Sequence, residues 1–392
     1  MRVLGGHPLP RRAFLVGVAA ALVLSATACA APTSHGSPSG PVSASSQSPG
    51  APSPFPTPIG HVLWTPLENP GAALIDNTLY VWQQIRSLAS PVHTEVMLMR
   101  IDPTTGQVLA EVALGSFGLG PSSNQLLVAN GWLWVSATEA GAGPTAQSAL
   151  LRFQPDTLQA DGRTLLPGGG APGYESAAAA GGWIWVADGG SLYKVSPSTG
   201  AVITTIGLGN ADQSQVATDQ AGGVLIVSEA QDGFGAIESR NPVTGSLIIS
   251  TKPGPIGVTA PKLSEVTGGG VWLSVATGMM GYIQRLDVAT LRPTPLALPF
   301  SNSGGATTGI FAQILGGALY VQPNAGGPSR NYCGNPSTGQ LLAPLGLGSY
   351  ATVLTANSTH LFYVVPNLAH FGQDTSHGEQ LVSLSINARC RV

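Results

Sequence analysis

Ile184-Trp185-Val186-Ala187, then Val195-Ser196-Pro197-Ser198-Thr199-Gly200, then the apolar run from Val202 to Leu208 form the stretch that decides the fold. Its first piece is short and rich in β-branched and aromatic residues, which reads as a strand. Its second piece is a turn with a mechanism. A Ser, Asp or Asn in first position caps backbone N–H groups with its side chain. Pro presets φ for the next position, and Gly accepts the left-handed conformation that closes a tight hairpin. Two antiparallel strands therefore meet at residues 196–200.

Both pieces recur along the chain. The strand returns as Leu79-Tyr80-Val81-Trp82, Leu133-Trp134-Val135-Ser136, Leu225-Ile226-Val227-Ser228, Val271-Trp272-Leu273-Ser274, Leu319-Tyr320-Val321-Gln322 and Leu361-Phe362-Tyr363-Val364, so that seven copies start 41 to 54 residues apart. The turn returns as Asp102-Pro103-Thr104-Thr105-Gly106, Asn241-Pro242-Val243-Thr244-Gly245 and Asn335-Pro336-Ser337-Thr338-Gly339, with degenerate copies at Gln154-Pro155-Asp156-Thr157 and Asp287-Val288-Ala289-Thr290. These Asx residues are structural devices, and no catalytic role is expected of them. A further short strand precedes each aromatic one, as in Gln125-Leu126-Leu127-Val128. Each unit thus holds four short strands with no helical pattern between units. This predicts an all-β fold, a single β-propeller of seven four-stranded blades over residues 59–392. The last unit, from Tyr350, lacks an outer strand after Leu381 to Ile386, and residues 60–66, around Val62-Leu63-Trp64, are expected to supply it. The N-terminal strand would then close the ring and remove an exposed edge.

The segment before the repeats reads as a leader and a tether. Arg11 and Arg12 precede an apolar run from Phe14 to Leu24, about the length of a signal-peptide core and too short to span a bilayer. Ala26-Thr27-Ala28-Cys29 resembles a bacterial lipobox, although Ala26 stands where Leu is usual. Residues 1–28 are therefore expected to be a lipoprotein signal peptide and Cys29 the lipidated residue. The alternative is ordinary cleavage with Cys29 incidental. Arg11-Arg12-Ala13-Phe14-Leu15 also resembles a twin-arginine export motif, with general secretion the other route. Residues 29–58, nearly all Ala, Pro, Ser, Gly and Thr, form a linker. The expected location is the extracytoplasmic face of a cell membrane, reached through the lipid anchor. Cys333 and Cys390 remain for the body. In an exported protein they read either as a disulfide pinning the end of the chain or as two unrelated thiols.

Charge excludes some partners. Only 9% of residues are charged, against about 25% in an average soluble protein, and the net charge is −3. No basic footprint for nucleic acid exists. The three lysines Lys194, Lys252 and Lys262 form no polybasic membrane patch. The abundance of Ala, Gly and Pro, and of Arg over Lys, has the composition of a high-GC, actinobacterial-like genome.

The aromatic strand followed by the Asx-Pro-x-Thr-Gly turn resembles the YVTN-type and streptogramin-lyase-like propeller superfamily, with its quinoprotein-like repeat groups, over all of 59–392. The resemblance implies the fold and leaves the function open, since the superfamily holds enzymes and binding proteins alike. Its lyase members use histidines and a glutamate around a divalent metal. Here His35, His61, His93, His360, His370 and His377 show no paired spacing. The best local set is His370, Asp374 and His377, which a solvated loop explains equally well, and no metal site is expected. Quinone-binding members place a Trp shortly after the Thr-Gly. Here Gly106 is followed by Gln107-Val108-Leu109 and Gly339 by Gln340-Leu341-Leu342, so no cofactor is expected.

The carboxylates Glu139, Asp188 and Glu229 follow the aromatic strand by a few residues in three units, with Asp232 and Glu265 nearby. Equivalent positions converge on one rim of a propeller. These residues are candidate rim ligand-binding groups, able to work as acid and base or to hold a cation through oxygen; repeat-derived turn chemistry is the plainer explanation. The Trp132/Trp134 and Trp183/Trp185 pairs, which share one face at period two, are expected to pack between blades. The expected function is a membrane-anchored binding or interaction scaffold for an envelope protein or glycan, with no enzymatic constellation. The alternative is a metal-dependent lyase or hydrolase with its site on the central rim.

Overall fold

The structure, a computed structural model, describes residues 61–386 apart from 68–69, 88–92, 116, 120–124, 140–146, 168–175, 210, 219–221, 231–235, 252–258, 265–269, 278–279, 293, 295–297, 302–309, 316, 324–330, 348–350 and 367–378. All lie in the second of the chain's two units, 53–392. β1 (His61–Leu67) comes first. The first sheet then takes β2 (Gly71–Ile75), β3 (Thr78–Ser87), β4 (His93–Ile101) and β5 (Val108–Ala113). β6 (Phe117–Gly118) leads into the second sheet, made of β7 (Leu126–Ala129), β8 (Trp132–Glu139), β9 (Ser148–Phe153) and β10 (Ala160–Leu165). The third has β11 (Ser176–Ala180), β12 (Trp183–Asp188), β13 (Ser191–Val195) and β14 (Val202–Gly207). The fourth has β15 (Ala211–Thr218), β16 (Val224–Ala230), β17 (Ala236–Arg240) and β18 (Leu247–Thr251). The fifth has β19 (Thr259–Ser264), β20 (Gly270–Thr277), β21 (Met280–Asp287) and β22 (Leu298–Ser301). The sixth has β23 (Ile310–Leu315), β24 (Ala318–Pro323), β25 (Tyr332–Gly334) and β26 (Leu341–Pro344). The last has β27 (Thr352–Ala356), β28 (His360–Pro366) and β29 (Glu379–Ser385), and β1 pairs antiparallel with β29 as its fourth strand.

The protein is an all-β propeller with six blades of four antiparallel strands. The second sheet departs from the expected count with a fifth strand. β7 covers only Trp132 to Val135 of the longer β8, and β6 pairs with the uncovered end, Thr138 and Glu139.

The repeated turns form as their chemistry dictates. The Asp102 carboxylate accepts the N–H groups of Thr104 and Thr105 at 2.8 and 2.9 Å, and Gly106 N–H donates to the Asp102 carbonyl at 2.9 Å. Asn241 and Asn335 do the same for their own turns. The degenerate copies put a leucine where Gly is usual, Leu158 at φ 55° and Leu291 at φ 51°. Both side chains are buried in the core. Their burial, worth roughly 1.5–3 kcal/mol, offsets the roughly 1–2 kcal/mol of left-handed backbone strain.

These turns also join neighbouring sheets. A buried aromatic on the second strand of one sheet reaches the Pro carbonyl in the turn of the next. Trp185 Nε1–H donates to Pro242 at 3.2 Å, Trp272 to Pro336 at 3.1 Å, and the Tyr80 hydroxyl to Pro155 at 3.3 Å. Trp134 is the variant: its ring packs on Gly200 of the next turn, while its N–H returns to Ala129. Directly across each of these four aromatics stands a cation, giving the pairs Tyr80–Arg100, Trp134–Arg152, Trp185–Lys194 and Trp272–Arg285. Three of the cations donate to the carbonyl just after the Pro position of the same turn: Arg100 to Asp156, Arg152 to Ser198 and Lys194 to Val243. Arg152 and Lys194 also lie over their Trp rings, at 5.6 and 5.9 Å from the ring centres. The tryptophans thus pack between blades, as expected. Between the latches run apolar clusters, each shared by two neighbouring sheets, including one that the last and first sheets share through Leu63, Phe362, Leu79 and Val81.

Two outcomes are expected. Trp185→Phe keeps one aromatic ring but loses the bond to Pro242 and the outer ring's packing on Gly245, costing about 1–3 kcal/mol, whereas Trp185→Ala costs about 3–5 kcal/mol; urea unfolding measures both. The second concerns acid. Backbone N–H groups of Thr105 and Thr104 hold the Asp102 carboxyl below its usual value of 3.8, and the Thr290 hydroxyl and N–H hold Asp287 below it. The folded chain therefore binds these protons less tightly than the unfolded chain does. Their contribution is full above pH 3.8 and lost as pH falls below it. Asp102→Asn with Asp287→Asn, which copies the Asn of the other turns, is expected to keep the fold and flatten that acid limb in melts across pH.

Candidate functional site

The two ends of the sheets are built differently. Within each four-stranded meander the first and third strands run the same way. The connection from second to third strand therefore emerges at the same end as the connection from a fourth strand to the next sheet. At the opposite end most connections are short or repeat-built: 76–77, 130–131, 181–182, 219–223, 265–269, 316–317 and 357–359, with the turns 102–107, 154–159, 196–201, 241–246 and 335–340 and the longer span 288–297 after a degenerate copy. The first end carries the longer and unequal spans 140–147, 166–175, 302–309, 324–331 and 367–378. It also holds the Gly189-Gly190 hairpin between β12 and β13.

Asp188 is the last residue of β12, Glu139 the last of β8, and Glu229 lies one residue before the end of β16. The fold brings all three to the end with the unequal connections. The side chains of Glu139 and Glu229 lie outside the described part, as do Arg11, Arg12, Cys29, Asp232, Glu265, His370, Asp374, His377 and Cys390. Cys333 lies in β25, is buried, and is engaged in a disulfide. His360 opens β28, bonded to Thr359 and, at 3.4 Å, to Ser385. Among the described residues no three His, Cys, Asp or Glu side chains come together to hold a metal.

Asp188 is 4% exposed, placed inside the seam between the second and third sheets rather than on an open rim. It shares one face of β12 with Ile184 and Val186, which pack on Trp134 and Leu150 of the second sheet. Ser136 and Thr138 share the Trp134 side of β8, and Thr138 pairs across the strands with Ser148 of β9. All four polar residues are buried. Neither Asp188 carboxylate oxygen, nor Ser136 Oγ, nor Thr138 Oγ1 has a partner in hydrogen-bond geometry. Burial pushes the Asp188 carboxyl up, and the Ser148 hydroxyl pulls it back in part. Such a seam can take up a proton or hold a cation through oxygen. Thr138, Ser136 and Ser148 escaped the sequence reading. The signal was the pattern Trp134-Val135-Ser136-Ala137-Thr138, which sets small polar residues on the core side of a buried strand.

No protein-family model matches the chain, and no curated protein sequence does. Solved structures of similar fold include a protein of unknown function from Bacteroides caccae, at 15% identity over 64% of this chain and 93% of that one, TM-score 0.38. A quinohemoprotein alcohol dehydrogenase from Pseudomonas putida aligns at 12% identity over 78% of this chain and 65% of that one, TM-score 0.45. The Dos1 propeller aligns at 11% identity over 83% of this chain and 94% of that one, TM-score 0.49. Identities this low concern the fold alone.

A buried hydroxyl without a partner costs more than a methyl of similar shape. In metal-free buffer Ser136→Ala is expected to raise stability by about 1 kcal/mol, read as a higher urea midpoint at unchanged slope.

Proposed function

We propose that the chain is a lipid-anchored propeller on the extracytoplasmic face of a cell membrane, which binds an envelope protein or glycan with the end of its blades that bears the unequal connections. In this reading Arg11 and Arg12 direct export, residues 1–28 are removed, and Cys29 carries the lipid. Residues 29–58 hold the body, 59–392, away from the bilayer. The body is a ring of seven blades of the YVTN-type, quinoprotein-like kind. Pairing of β1 with β29, and the apolar cluster common to the last and first sheets, support closure by the N-terminal strand. Cys390 is the partner of Cys333.

The observation that carries the binding role is the inequality of the two ends. At one, side chains are spent on turns and on latching sheets together. At the other, long connections of dissimilar sequence rest on a rigid frame, where binding residues tend to lie.

Anchoring is tested by fractionating cells. Wild type is expected with the membranes and Cys29→Ala in the soluble fraction; soluble wild type would overturn the anchor. Binding is tested by thermal unfolding against a panel of cell-wall glycans, with crosslinking in intact cells beside it. Replacing 367–378 by a short Gly-Ser link is expected to remove a ligand shift or crosslink that Thr244→Ala, at the other end, leaves intact. The reverse pattern would assign binding to the wrong face.

A further inference from the structure

We propose that the seam between the second and third sheets holds a hard metal cation, ligated by the Asp188 carboxylate and the Thr138 hydroxyl, with the Ser148 hydroxyl as a further oxygen donor. This site is separate from the loop-borne binding role above and does not depend on it.

An ionised carboxylate sealed from water costs several kcal/mol unless something compensates its charge. No cationic side chain of the described residues does so. Of the cations of the two sheets that form the seam, Arg152 and Lys194 are committed to turns at the opposite end, and Arg163 lies over the Phe117 ring. Arg152 stands four residues along β9 from Ser148, roughly 13 Å at a strand's rise of about 3.3 Å per residue.

A proton is the simplest compensation, but it serves one oxygen and one acceptor. Here both carboxylate oxygens and Thr138 Oγ1 lack partners together. They are brought close by register, since Thr138 pairs with Ser148, and Ser148 acts on Asp188. A centre that takes several oxygens at once meets that need, and oxygen-only donors select a hard cation of the calcium, magnesium or sodium kind. The same ion would bridge two neighbouring sheets at the end opposite their Trp and Arg latches.

The test uses the purified full chain, stripped with a chelator and melted against calcium, magnesium and sodium chlorides in turn. Wild type is expected to gain a saturable rise in Tm with one of them, and elemental analysis of the loaded protein is expected to find about one ion per chain. Asp188→Asn is expected to fold and to lose affinity by far more than the about 10–100-fold typical of an outer-shell partner. Thr138→Val is expected to weaken it by less, and it keeps the test open should Asp188→Asn fold poorly. A rise that persists unchanged in both variants, or no rise in wild type with any of the three cations, would overturn the proposal.

Discussion

An indole or phenol hydrogen bond from one sheet to the proline carbonyl of the next sheet's turn is the constraint on which the rest of the propeller depends. A four-stranded sheet has two apolar faces, and stacking alone hides them without fixing how neighbours are set against each other. The latch fixes it. Trp185 and Trp272 are fully buried and satisfied only in one placement, because their N–H groups must meet Pro242 and Pro336. The cations opposite Tyr80, Trp134 and Trp185 reinforce this by claiming the adjoining carbonyl of the same turn. Scarce charge is thereby concentrated at the seams.

Much of this was legible in the sequence, and for a physical reason. Tight turns need particular residues at particular offsets, so Asp102-Pro103-Thr104-Thr105-Gly106 announces its hairpin without reference to anything distant. The aromatic strand announces burial in the same way. The cations were there to be seen, since Arg100, Arg152, Lys194 and Arg285 each stand two residues before the first residue of a turn. Their role was invisible because it depends on a turn in another sheet, some fifty residues on. The extra strand β6 depends on how far β8 outruns β7, a tertiary fact that no local pattern encodes.

The carboxylates tell the same story from the functional side. Position within the repeat places Glu139, Asp188 and Glu229 near the ends of equivalent strands. It did not say that Asp188 would be sealed between two of them. Strand alternation decides that, together with the two-residue Gly189-Gly190 hairpin that follows Asp188. What makes Asp188 unusual is its company of hydroxyls on β8 and β9, and company across a seam is what a linear pattern conveys least.

The latches are unevenly distributed. From the first sheet to the fourth every seam carries a polar tie, and so does the seam from fifth to sixth. Between fourth and fifth, Ile226 stands where the others have an aromatic and Val288 where they have proline, and among the described residues the contact is an apolar cluster. Apolar contact is non-directional, so it resists separation while tolerating a slide. Among the described residues, the seam beside Ile226 is therefore more compliant than the tied ones. Connections on the two sides of a tied seam keep a fixed spacing, and those on the two sides of the Ile226 seam can adjust theirs.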